Sequence, residues 1–139
     1  LIQHYFKDKK VIPICSVIEN SIQSKNFSTI LNKIIDDKTL IFISSNASSY
    51  QNNTISFKKA KTLIEELQTS PKLLQLQKKN IIDCCACGII DSIAKTKLYK
   101  DRAYNINLIE IEGKVDSTIP MIEIRDKCVY HISATLKEI

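Results

Sequence analysis

The spacing of apolar residues changes twice along this 139-residue chain, and that change limits the fold more than any other feature. Residues 11–18, Val-Ile-Pro-Ile-Cys-Ser-Val-Ile, and residues 39–45, Thr-Leu-Ile-Phe-Ile-Ser-Ser, are short, nearly continuous apolar runs. Runs of this kind suit strands buried on both faces of a sheet. Between them, Phe27, Ile30, Leu31, Ile34 and Ile35 recur at helical spacing and predict an amphipathic helix over 26–36. The three segments together predict a β-α-β start, the unit of a parallel or mixed sheet. Pro13 belongs at an edge or early in its strand, because proline has no N–H to give to a ladder. Asp36-Asp37-Lys38 reads as a turn, and the polar residues 45–53 read as a loop.

Residues 55–98 then read as helical. Leu63, Ile64 and Leu67 mark one helix, Ser70-Pro71 interrupts it, and Leu73, Leu74 and Leu76 open another. Ile81, Ile82, Cys85, Ile89, Ile90 and Ile93 are dense enough for burial on most sides. From residue 104 the apolar period falls to two, over 106–112, 121–124 and 128–132. Arg125-Asp126-Lys127 is a polar turn between the last two runs, which predicts a terminal β-hairpin. Leu136-Lys137-Glu138 reads as the start of a helix, and Leu1–Lys7 as the end of one. The expectation is one α/β domain over 1–139: a mixed sheet with a β-α-β start, a central helical segment and a C-terminal β-hairpin.

With two glycines and three prolines, the chain has little material for a glycine-rich phosphate loop or a long linker. No apolar run approaches the roughly 18 residues that span a bilayer, so no membrane is expected. The first residues do not read as a signal peptide, and the missing initial Met suggests a piece of a longer protein. The five cysteines are odd in number, and three crowd into positions 84–87. That is a poor disulfide framework; it suits reduced thiols in a reducing compartment, hence the cytoplasm.

The net charge of +5 is uneven. Residues 58–102 hold ten Lys/Arg against five Asp/Glu, whereas 103–139 hold four against six. This basic middle segment fits either a solvated helical face or a nucleic-acid footprint.

Cys84-Cys85-Ala86-Cys87 invites a metal, since positions 84 and 87 share a face on a helix. A tetrahedral site needs four soft ligands, and Cys15, Cys128, His4 and His131 are singly scattered. Small packed helix residues are therefore the preferred reading, with no metal and no cofactor expected. Neither His4 nor His131 has a carboxylate or nucleophile at a recognisable spacing. Glu110–Asp116 resembles the toprim nucleotidyl-transfer motif, but the further helix and paired aspartates of that fold do not follow. An α/β enzyme would carry its site at the C-terminal ends of the two early strands, lined by Ser16, Glu19, Ser44, Ser45 and Asn46.

Residues 118–137, Thr-Ile-Pro-Met-Ile-Glu-Ile-Arg-Asp-Lys-Cys-Val-Tyr-His-Ile-Ser-Ala-Thr-Leu-Lys, resemble the HKD segment of the phospholipase D superfamily. That pattern is His-x-Lys, an apolar strand, an acidic turn, a second strand, then Gly-Ser-x-Asn and a helix. The upstream order, strand 11–18, helix 26–36, strand 39–45, helices 55–98 and strand 106–112, agrees with that superfamily if 58–102 includes an insertion. The chemistry does not agree. Where the family has its nucleophilic His and phosphate-binding Lys, this chain has Thr118 and Pro120, and its Asn position is Thr135. Arg125 occupies the acidic place and Ile132 the glycine.

The resemblance therefore implies a non-catalytic phospholipase-D-like domain with a structural or nucleic-acid-binding role. Such a domain pairs with a second half, in a homo- or hetero-oligomer or in a second domain. Lys95, Lys97, Lys100 and Arg102 are the residues expected to meet phosphates. A third reading is an interaction module whose 55–98 segment docks a partner.

Overall fold

The computed structural model describes residues 2–69, 72–100, 104–114 and 127–138. Helices α1 (Ile2–Tyr5) and α2 (Ser21–Leu31) lead to a two-residue strand β1 (Gln51–Asn52). Helices α3 (Asn53–Thr69), α4 (Leu73–Lys78) and α5 (Cys87–Ala94) follow, then strands β2 (Tyr104–Lys114) and β3 (Lys127–Glu138). The described sheet is antiparallel throughout, in the order β1-β3-β2. The chain is thus a mixture of helices and a small antiparallel sheet.

The expected β-α-β start is not formed. Residues 11–18 and 39–45 run without helix or strand pairing, and most of their large side chains lie open to solvent, Val17 at 79%, Leu40 at 66% and Phe42 at 57%, with Ile18 and Ile41 half-buried. An apolar run favours a strand only when a neighbouring backbone completes the ladder, and here none does.

The intervening helix starts five residues earlier than its apolar spacing predicts. Asn20 caps it, its Oδ1 accepting from the Ile22 and Gln23 N–H groups at 3.1 and 3.0 Å. Gln23 reaches back to accept from the Glu19 N–H at 2.8 Å. The buried face of α2 is Ser24, Ser28 and Leu31, while Ile30 and Ile34 are exposed. Beyond Leu31 the N–H groups of Lys33 and Ile34 bond to carbonyls three residues back, which tightens and ends the helix. Thr39 Oγ1 donates to Asp36 Oδ1 at 2.7 Å and accepts from the Asp36 N–H, closing the predicted turn. The Thr39 hydroxyl and the Lys38 N–H, both donating to Oδ1, hold the Asp36 carboxyl below its ordinary value.

The central segment is helical, as its spacing predicts, but broken in two places. Helix α4 ends in a Schellman motif: Asn80 N–H bonds to the Gln77 carbonyl at 2.9 Å and Ile81 N–H to the Leu76 carbonyl at 3.0 Å. Asn80 supplies the left-handed residue this needs, at φ 57°. The core is built here, from Ala47, Ala60, Leu63, Leu73, Ile82, Cys84, Ala86 and Cys87, with Leu67, Leu76, Ile89, Ile90 and Tyr130 against it. Helix α5 packs on α2, and the backbone of Ile18 lies directly on Gly88. A Cβ on Gly88 would fall on the Ile18 carbonyl oxygen and side chain.

Strand β2 contains a phase slip that the ladder resolves. In Asn105–Glu112 the apolar residues alternate up to Leu108, then Ile109 breaks the period. A bulge between Leu108 and Glu110 leaves Ile109 outside the register. The partners are then Ile106 with Leu136, Leu108 with Ala134 and Ile111 with Ile132, while Asn107 faces Thr135 and Glu112 faces His131. Apolar meets apolar and polar meets polar from Asn105 to Glu112; at the end of the strand Lys114 is opposite Val129.

Strand β3 also corrects one expectation. Residues 136–138 belong to this strand, paired with 104–106, and do not begin a helix. Residues 128–132 are strand, as expected; β2 pairs one side of β3, and on the other Gln51 pairs with Cys128 and Ala47 N–H bonds to the Tyr130 carbonyl at 2.9 Å. Lys127 is in the strand; residues 121–124, with Arg125 and Asp126, lie outside the described residues.

Candidate functional site

The segment joining α4 to α5 turns three thiols into a small space. Cys84 and Cys87 are buried, at 1% and 0% exposure, whereas Cys85 is exposed. Cys87 opens α5, and its N–H bonds to the Cys84 carbonyl at 3.1 Å, closing a tight turn between the two residues. Ser45 closes the group from the other side. Its Oγ lies 3.2 Å from Cys84 Sγ and 3.1 Å from Cys85 Sγ, and accepts from the Ala86 N–H at 3.0 Å. The Asn46 N–H donates to Cys85 Sγ at 3.4 Å. The Ser45 hydroxyl also reaches the Asn46 carbonyl at 2.8 Å. One hydroxyl proton serves several acceptors, so it can turn to whichever sulfur is charged.

The electrostatics divide the buried pair. The Cys87 thiol donates to Cys84, and Ser45 and the Ala86 N–H add to this; together they bring the Cys84 thiol down to about 7, against burial and the Asp83 carboxylate, which push it up. The same contact and burial push Cys87 upward. Cys84 is the thiolate of the pair and Cys87 keeps the proton.

A polar network borders the thiols. Asp83 Oδ2 accepts from the Ser49 N–H at 3.2 Å and Gln51 Nε2 at 3.1 Å. Lys59, buried on α3, donates to Asn80 Oδ1 at 2.6 Å and lies 3.9 Å from Asp83. Between α2 and α5, Ser24 Oγ donates to Asp91 Oδ2 at 2.5 Å and accepts from Ser92 and Lys95. Lys95 pairs with the same carboxylate oxygen. This second network satisfies its own members and holds two helices together.

Of the residues expected to line an enzyme site, Ser45 and Asn46 do meet, at the thiols. Ser44 is exposed and Glu19 gives its N–H to Gln23. The contact of 45–46 with 84–87 was beyond the sequence, because it joins positions about forty apart through an unpaired extended stretch. Cys128 is buried away from this group, against Asn53 Oδ1 at 3.2 Å, where burial raises its thiol. Burial also raises the phenol of Tyr130, which donates to the same Asn53 oxygen at 2.8 Å. Cys15 and the two histidines are exposed. Among the described residues no set of three or more His, Cys, Asp or Glu is arranged to hold a metal.

The predicted phosphate contacts separate likewise. Lys95 spends its charge on Asp91, Lys97 and Lys100 are exposed, and Arg102 lies outside the described residues. Thr118 and Pro120 also lie outside them, and Thr135 pairs with Asn107 in the ladder. Among the described residues no helix is long and apolar enough to cross a membrane. No protein family, curated protein or solved structure matches the chain.

Proposed function

We propose that the chain is a non-catalytic α/β module that works as one half of a pair, its two extended apolar stretches covered by a second copy. The observation that supports this is the exposure of Ile12, Ile14 and Val17 in one stretch and Leu40, Phe42 and Ile43 in the other, with no ladder on either. Exposed apolar surface of this extent marks an interaction site. An extended backbone with free donors and acceptors is best satisfied by another strand. A second copy suits it because a two-fold axis sets such a stretch antiparallel to its own image. The finer form of the reading is the degenerate half of a phospholipase-D-like pair, supported by the resemblance over 118–137. In that form exposed Lys97 and Lys100 give the paired module a nucleic-acid-facing side.

The test is light scattering on the full chain at micromolar concentration. A dimer is expected, and Val17→Asp with Phe42→Asp should yield monomers of unchanged helical content. A wild-type monomer would overturn the pairing. Reversing Lys97 and Lys100 to Glu should weaken nucleic-acid binding and flatten its salt dependence; binding that ignores both salt and these charges removes the nucleic-acid role.

A further inference from the structure

We propose that Cys84 and Cys87 form a dithiol that hydrogen peroxide oxidises to a disulfide, Cys84 as attacking sulfur and Cys87 as resolving sulfur. The inference stands apart from the pairing proposed above and uses different residues.

Three observations carry it. First, the two residues are held close: both are buried in the same core cluster, three positions apart, and the Cys87 N–H to Cys84 carbonyl bond at 3.1 Å holds the backbone between them in a tight turn. Forming the bond then asks for a contraction of the sulfurs to about 2.05 Å and little movement of the backbone. Second, Ser45 Oγ lies 3.2 Å from Cys84 Sγ and accepts from the Ala86 N–H, which leaves its own proton free to meet a charged sulfur. Third, the pair lies just beneath the surface. Cys85 and Asn46 are exposed, and the Ser45 hydroxyl that meets Cys85 also meets Cys84, so the exposed and buried thiols are one residue apart in the same contact. At 1% exposure Cys84 is closed to a bulky disulfide, but a peroxide is no larger than a pair of waters.

The chemistry balances as follows. The Cys84 thiolate attacks one peroxide oxygen, the O–O bond breaks, and hydroxide leaves and takes a proton from solvent. Cys84 now carries a sulfenic acid. The Cys87 sulfur attacks the Cys84 sulfur, and the S–O bond breaks as the S–S bond forms. The departing hydroxide takes the Cys87 proton and leaves as water. Two thiols and one hydrogen peroxide give one disulfide and two waters. Ser45 is a positioning residue in this scheme: its hydroxyl stabilises the Cys84 thiolate and then has the Asn46 carbonyl as its alternative partner.

The experiment treats the full chain with hydrogen peroxide, then unfolds and alkylates it and counts free thiols by mass. Loss of two thiols is expected, and the loss should persist in a Cys15→Ser, Cys85→Ser, Cys128→Ser variant, where Cys84 and Cys87 are the thiols left. The rate should rise with pH through about 7, following the Cys84 ionisation. Cys87→Ser should stop at a sulfenic acid that dimedone captures. Ser45→Ala should slow oxidation about three- to tenfold while leaving the disulfide product the same, the loss expected for one hydrogen bond to the thiolate. If a fold defect clouds the Ser45 variant, Ser45→Thr, which keeps the hydroxyl, should recover most of the rate. Oxidation confined to Cys85, or a rate no faster than that of the urea-unfolded chain, would overturn the proposal.

Discussion

Residues 11–18 and residues 73–93 are both rich in branched apolar side chains, yet they end in opposite surroundings. Ile82 and Leu73 are closed from solvent, while Val17 is almost fully open. The difference lies in the backbone. Helices α4 and α5 satisfy their own N–H and C=O groups, so their side chains are free to commit to a core. An extended run has no such internal partner, and its apolar side chains have no assembled surface to join. Stability therefore resides in the helical body and its contact with β3, and the extended stretches contribute little to the isolated chain.

The sharpest test of that difference is a pair of truncations. Leu73→Ala should cost about 2–5 kcal/mol, the range for a closed core position. Val17→Ala should fall within about 0.5 kcal/mol at concentrations where the chain is a monomer. Urea unfolding of both variants checks the ratio; comparable losses would mean that the extended stretches belong to the folding core.

A second test uses the thiols of the helical body. Cys84 loses its proton near pH 7 in the folded chain, below its ordinary value, so this stabilisation is absent at pH 6 and grows as pH rises toward about 9. Cys87 is shifted the other way, and above about 9 the unfolded chain sheds a proton that the folded chain keeps, so stability falls again. Denaturation midpoints from pH 6 to 10 should trace a maximum between pH 8 and 9, with a rise of at most about 2 kcal/mol. Cys84→Ser should remove the rising limb.

Gly88→Ala probes the seam between the two regions, since the added Cβ meets the Ile18 backbone. The expected loss is about 1–3 kcal/mol, the cost of overpacking. Hydrogen exchange should also quicken around residues 17–20 while staying unchanged around 60–64. Equal quickening in both would show that the body had loosened, and that the seam is not separable from it.

What the sequence made legible follows the same division. The helical segment and the strands at 106–112 and 128–132 announce themselves because their patterns are local, three to four residues in one case and two in the other. The apolar runs at 11–18 and 39–45 mimic buried strands, and nothing within them tells whether a neighbour is present. The long-range neighbours of β3 are hidden for a related reason: nothing in 128–132 points to its pairing with β2 or with the stretch 47–52. The thiol group was half legible. The crowding of Cys84, Cys85 and Cys87 was plain, but Ser45, which joins them, comes from a stretch whose path only tertiary structure defines.

The smallest effect concerns where α2 begins, and it bears on the same contrast, because Asn20 sits at the point where the extended stretch becomes a helix. Its side chain satisfies two N–H groups that would otherwise face solvent unpaired, and Gln23 answers by taking the Glu19 N–H. Asn20→Ala removes the first contribution and leaves Ser24, Asp91 and Lys95 in place, so the loss should be near 1 kcal/mol. Asn20→Asp should match or exceed the wild type, since a carboxylate at a helix N-terminus also meets the helix dipole. If Asn20→Ala proved neutral, the start of α2 would be fixed by its buried face on α5 and not by the cap. The Ser24–Asp91 contact at 2.5 Å would then be what converts extended chain into helix at this point.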